Sequence, residues 1–320
     1  MDGISKPNAI AQTTIIKMPK CFFMGFFLYF FHKGDSNCRK LILYYQIKCF
    51  TNPKQKKLGA KITMYTCLTA LYEDWNHVIV TAHRGASGCY PENTALAMRK
   101  AIAWGADMIE FDLRTTLDGV PFILHDNSLD RTSNLTGRGE DLTLAQLKEG
   151  NFSYYAFGRE KLKAPIYEHL EIPTFEEILQ EFRGKAGMNI QVYAQPDGIK
   201  EICRLYCDYD MFDQGFMTID KLENIELVKS FDSRIEVCYT PGWKERCEPD
   251  NLKLCKEIGC RFVQPPIEHS DESTYALCRQ LGLRTNVFYA DTEPNIRKIL
   301  AQGGTGMLSN RADIVLDIVR

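Results

Sequence analysis

The chain has 320 residues, 45% of them hydrophobic and 25% charged, with a net charge of −2. That length suits one large α/β domain or two ordinary ones, the composition is globular, and the near-neutral balance gives no support to nucleic-acid binding. Charge is uneven, however: residues 1–77 carry 11 Lys and Arg against 4 Asp and Glu, so the rest of the chain holds the acidic excess.

Residues 1–63 show no sustained periodicity and read as a poorly ordered or non-native extension, with Met64 as an alternative start. Within it, residues 21–31 form an apolar, aromatic run, shorter than the roughly 20 residues a membrane span needs. Lys17, Lys20 and Lys33 flank that run, so any membrane association would rest on residues 17–33. No small-x-small cleavage site follows, and neither a targeting role nor membrane association is favoured. The 12 cysteines are scattered without a Cys-x-x-Cys pair. They give no zinc-ribbon or thioredoxin signal and point to a reducing, cytoplasmic setting.

From residue 78 short apolar strands alternate with amphipathic helices. Strands are predicted at 78–82, 108–113, 188–192, 215–218, 234–238, 261–264, 284–288 and 306–308. Helices are predicted at 94–104, 175–182, 199–207, 221–231, 251–258, 272–281, 294–302 and 312–319. Asp250 is placed to cap its helix, and Gly259 and Gly282 stand where helices should stop. Strand–helix alternation at this count favours a (β/α)8 TIM barrel over 64–320. An extra strand at 120–124 follows the turn signal Asp118-Gly119. Residues 126–173 fit no strand–helix unit, carry one short helical piece near 144–148, and read as an insertion after the second strand serving as a lid or binding loop.

Chemistry concentrates between residues 83 and 126. Strand alternation sends Glu110 and Asp112 to one face and Ile109, Phe111 and Leu113 to the other. In a barrel the two carboxylates then point inward at the C-terminal end, where active sites lie, and hard oxygen donors suit Mg²⁺ or Ca²⁺. His83 and Arg84 follow the first strand, with Gly85 permitting close backbone approach. Arg84 suits a phosphate through its planar fork. His125 ends the extra strand, so two histidines are available as general acid and base. Glu92 lies in Pro91-Glu92-Asn93-Thr94, a helix entry capped by Asn93 or Thr94.

In order and spacing, His83-Arg84-Gly85, Pro91-Glu92-Asn93-Thr94, Glu110-Phe111-Asp112, Thr116-x-Asp118-Gly119 and His125-Asp126 resemble the glycerophosphodiester phosphodiesterases. The resemblance implies a small-molecule glycerophosphodiester substrate cleaved to glycerol 3-phosphate and an alcohol, in lipid and glycerol metabolism. It further implies a divalent metal on Glu110 and Asp112, charge stabilisation by Arg84, and acid and base roles for His83 and His125.

The resemblance breaks further on. Asn189-Ile190-Gln191-Val192-Tyr193 stands where the family has Asn-x-Glu-x-Lys. Gln191 thus falls on the third metal-ligand position without a charge, and Tyr193 on the phosphate-binding position without a cation. Phe288 aligns with a family tryptophan, and Ser309-Asn310 with a Thr-Asp pair. Two readings stay open: an active variant, or a weak or inactive barrel kept for binding. Phospholipase D-type activity on lysophospholipids is the alternative chemistry. Glu236, Glu268, His269 and His169 are the nearby side chains that would compensate.

Overall fold

The computed structural model describes residues 67–154 and 161–320. The extension at 1–63, with its apolar run, lies outside them. Among the described residues no helix is long and apolar enough to cross a membrane.

The strands among these residues are β1 (Ile79–Ala82), β2 (Met108–Thr115), β3 (Pro121–Ile123), β4 (Gly187–Val192), β5 (Gly215–Ile219), β6 (Val237–Tyr239), β7 (Phe262–Val263), β8 (Arg284–Thr285) and β9 (Gly306–Ser309). All but β3 are parallel; β3 pairs antiparallel with β2 as a hairpin. Ladders join them in the order β6-β5-β4-β2-β1-β9. β7 pairs with β8, and the bridge between Val287 and Met307 carries β8 to β9. The result is the curled parallel sheet of a (β/α)8 barrel. Its one seam among the described residues lies between β6 and β7, where no ladder forms.

Helices α1 (Leu68–Glu73), α2 (Ala95–Trp104), α3 (Leu144–Lys148), α4 (Phe175–Phe182), α5 (Pro196–Asp208), α6 (Leu222–Phe231), α7 (Pro249–Ile258), α8 (Glu272–Leu281), α9 (Glu293–Ala301) and α10 (Ala312–Val319) complete the unit. Strand alternation decides what faces them. Val80, Ala82, Ile109, Phe111, Leu113, Ile190 and Val192 join the apolar layer shared with the helices. The opposite phase fills the barrel, where Ile79, Met108, Phe216, Cys238 and Phe262 pack with Leu68 and Leu71 of α1. α1 therefore plugs the N-terminal end. Arg284, fully buried, fastens the plug by donating to the carbonyls of Leu71, Asp74, His77 and Thr305 at 2.6 to 3.1 Å. No sequence signal marked α1, because six residues are too few to show a period.

Helix ends follow local chemistry. Thr94 accepts the Ala97 N–H and starts α2, and Thr174 closes a capping box on α4. Gly259 and Gly282 end α7 and α8 in the left-handed region. Asp250 does not cap α7 as expected: Glu248 precedes Pro249, which takes the first helical position, and Asp250 falls inside the first turn. In the insertion, α3 forms as predicted, and Leu129, Leu147, Phe152 and Ile172 pack against Phe122 and Leu124 around β3. The insertion thus carries its own small core beside the barrel mouth.

Candidate active site

β1 keeps its inward phase through Ile79, Thr81 and His83, so the imidazole arrives at the C-terminal rim by strand geometry alone. The chain then turns sharply. Arg84 (φ 54) and Gly85 (φ 74) are both left-handed, and a Cβ on Gly85 would stand 2.7 Å from the Ala97 carbonyl carbon of α2. Only glycine lets the turn rest on that helix.

The His83 ring is tightly specified. Its Nδ1 lies 2.7 Å from Asn310 Oδ1, while the Asn310 amide nitrogen donates to Asp291 Oδ2 at 2.7 Å. That second bond fixes the amide oxygen toward His83, so Nδ1 carries the proton and Nε2 is left open. Nε2 faces Glu110 Oε2 at 3.9 Å. Burial, with the Arg84 charge beside it, lowers the His83 pKa to about 4, and the ring is neutral near pH 7.

Glu110 and Asp112 converge inside the rim, 4% and 1% exposed. Glu110 accepts the Arg84 backbone N–H at 2.7 Å. Asp112 accepts from Asn93 Nδ2 at 2.7 Å and lies 3.3 Å from Arg84 Nε. Burial and the neighbouring Asp112 charge push Glu110 well above the ordinary carboxylate range. Two adjacent buried carboxylates of this kind call for a cation.

The sequence placed Glu92 in a helix entry. Thr94 is the cap, Asn93 orients Asp112, and Glu92 binds two arginines: Arg84 Nη1 at 2.9 Å and Arg131 at 2.7 and 2.8 Å. Arg131, from the insertion, also meets Asp126. Burial would raise the Glu92 pKa, but these arginines outweigh it and bring the group to about 2. Sequence reasoning missed Arg131 and Asp291 and read Asn93 only as a possible cap. Arg84 is more committed than expected, since Nε and Nη1 already face carboxylates.

His125 donates from Nδ1 to Asp126 Oδ1 at 2.7 Å, an acceptor-only partner, so its Nε2 is open as well. Its side chain is 36% exposed against 10% for His83, which puts it on the solvent side. Its ring meets Tyr193 edge-on at 5.7 Å, and Arg114 lies 5.1 Å from the Tyr193 ring centre. Burial and the charges of Asp112 and Glu110 raise the Tyr193 pKa, so its phenol keeps its proton.

Gln191 is the register neighbour of Asp112 on β4, and its amide nitrogen donates to Thr218 O at 3.2 Å. Among the described residues no three His, Cys, Asp or Glu side chains gather for a metal. The compensating side chains do not converge here. Glu236 faces inward but pairs with Arg261, which bonds Thr69 beside the α1 plug. Glu268 and His269 are exposed, and His169 lies 3.6 Å from Glu171 in the insertion.

The sequence pattern of the Glycerophosphoryl diester phosphodiesterase family matches residues 83–314. The chain belongs to this family. As a member of these phosphoric diester hydrolases it is 29% identical over 254 residues to a glycerophosphodiester phosphodiesterase of Bacillus subtilis, covering 75% of this chain and 85% of that one. The phosphodiesterase fold also superposes on solved barrels. A glycerophosphodiester phosphodiesterase from Agrobacterium tumefaciens gives a TM-score of 0.63 at 23% identity, covering 75% of this chain and 99% of that one. A phosphodiesterase from Oleispira antarctica, solved with the product sn-glycerol-3-phosphate, gives 0.62 at 20% identity, covering 76% and 96%.

Proposed function

We propose that this phosphodiesterase is active and hydrolyses glycerophosphodiesters to glycerol 3-phosphate and an alcohol. The observation that carries this reading is the pair of histidines, each with Nδ1 anchored and Nε2 open at the barrel rim. A barrel kept only for binding has no need of two such anchored rings. Glu110, Asp112 and the Gln191 amide oxygen would hold a divalent metal, Mg²⁺ or Ca²⁺, which supplies charge neutralisation for the phosphoryl oxygens.

His83, held neutral, takes the proton of the attacking hydroxyl at Nε2. His125, carrying a proton on Nε2 as well as on Nδ1, delivers the Nε2 proton to the leaving alcohol, with the ionised Asp126 behind Nδ1 to balance the charge. The open corner of the Arg84 fork donates to a phosphoryl oxygen. Tyr193 supplies a neutral hydroxyl donor at the same mouth. The Bacillus relative and the product-bound Oleispira barrel, by their names, support this substrate class.

The test is turnover of glycerophosphocholine and bis-p-nitrophenyl phosphate with Mg²⁺, Ca²⁺ or Mn²⁺. EDTA should remove the activity, and His83→Ala or His125→Ala should abolish it. No turnover with any of these metals across diester head groups sinks the proposal. Release of choline with lysophosphatidylcholine as the preferred substrate would favour the phospholipase D-type chemistry instead.

A further inference from the structure

Tyr193 leaves this barrel without the lysine its relatives place at the end of the third barrel strand, and the neighbouring arginines are already engaged. Arg84 faces Glu92 and Asp112, Arg131 faces Glu92 and Asp126, and Arg114 faces Glu140. Arg246 differs. It lies on the loop after β6, in a short 3-10 turn over Glu245–Cys247. Its Nε donates to Pro241 O at 2.9 Å, and its guanidinium carbon stands 5.5 Å from both the Trp243 and the Phe288 ring centres. Among the described residues neither terminal nitrogen has an ion-pair partner. Resting on the reading of the site as a glycerophosphodiester centre, we propose that Arg246 is the second phosphate-binding cation, supplied from the β6 loop in place of the absent lysine.

Position supports this. Phe288 follows β8, and Tyr193 follows β4, on the opposite side of the barrel. Arg246 packs on the first and lies within electrostatic range of the second. The loop that carries Arg246 leaves the C-terminal end of β6, the same end of the barrel at which His83 follows β1, and its guanidinium packs on Phe288 at that rim. The aromatic wall continues from Phe288 to Tyr289, whose ring lies 5.5 Å from that of His83.

Energetics point the same way. Partial burial among the rings lowers the Arg246 pKa, outweighing the more distant groups that raise it. Rings on two sides and one carbonyl fix the planar group while its terminal N–H groups stay unsatisfied by protein. Such a fork is preorganised for an oxyanion, and the anion's arrival offsets the cost of burying the charge.

The experiment compares wild type, Arg246→Met, which keeps the stem, and Arg246→Met/Tyr193→Lys. Three quantities are read: affinity for sn-glycerol 3-phosphate by calorimetry, the kcat and KM split, and Tm. Arg246→Met should weaken affinity and raise KM about tenfold or more, with Tm unchanged or higher. Adding Tyr193→Lys should restore affinity. Unchanged affinity and KM in Arg246→Met overturn the assignment while wild-type turnover leaves the activity standing. A lower Tm with unchanged affinity also overturns it, as the sign of a purely structural arginine. A wild-type protein that neither turns over diester nor binds the phosphate overturns the underlying reading and this assignment with it.

Discussion

His83 and Asn310 meet at 2.7 Å across the barrel rim, ring nitrogen to amide oxygen, although 227 residues separate them in the chain. Asp291 stands behind, accepting both the backbone and the side-chain N–H of Asn310. Asp291→Asn would set an NH₂ against the Asn310 NH₂ and turn the amide over, facing N–H to N–H at His83. We expect kcat to fall about a hundredfold, within the range a general base contributes. The exchanged pair Asp291→Asn/Asn310→Asp re-forms both bonds and should recover most of the loss. Equal kcat in wild type and Asp291→Asn would falsify the orienting role.

Gln191 pairs in register with Asp112, and in the proposed metal site it offers an amide oxygen and not a third carboxylate. Gln191→Glu should tighten Mg²⁺ or Ca²⁺ binding about tenfold or more, because charge count sets affinity in oxygen sites. Titration calorimetry reads this directly, and an unchanged dissociation constant removes Gln191 from the metal site.

Glu92 is held at a pKa of about 2 against an ordinary 4.5. A carboxylate with a depressed folded-state pKa contributes stability above about 4.5 and loses it as pH falls toward 2. The contribution is about 3 kcal/mol at neutral pH. Urea midpoints from pH 6 to 2.5 should fall through this window in wild type. Glu92→Gln should start lower at neutral pH, with Arg84 and Arg131 unbalanced, and show a flatter acid dependence. Parallel curves for the two proteins would count against it.

The plug α1 makes a sharp boundary. A protein beginning at Met64 should unfold in one cooperative transition like the full chain. One beginning at Val78 forfeits the burial of Leu68 and Leu71, about 3–6 kcal/mol by area, and strips the Arg284 guanidinium of its Leu71, Asp74 and His77 acceptors. Urea denaturation of both truncations decides the matter, and loss of cooperativity in the Met64 protein refutes the boundary.

The fold was readable because short apolar strands alternate with helices, four of them capped by a side chain or stopped by glycine. His83, Arg84, Glu110, Asp112 and His125 were readable because they fall at successive strand ends within one stretch. Alternation gave Glu236 its inward phase correctly, but phase says nothing about depth. Glu236 sits in the lower layer against Arg261, away from the chemistry. Asn310 and Asp291 stayed hidden because their meaning comes from a closure that joins the last strand to the first. Arg246 was silent for a related reason: an arginine in an irregular loop has no period, and only the rings of Trp243 and Phe288 on which it packs mark it out.

Among the described residues the wall between β6 and β7 is not laced by backbone hydrogen bonds. What spans it is side chain. Within the barrel, Gln264 reaches Thr218 at 3.1 Å; at the mouth, Trp243 from one bank meets Phe288 from the other at 4.8 Å between ring centres. The hoop is thus fastened by a clasp and not a weld, and Arg246 is seated on that clasp. An anion bound at Arg246, as proposed, would bear on rings from both banks of the seam at once.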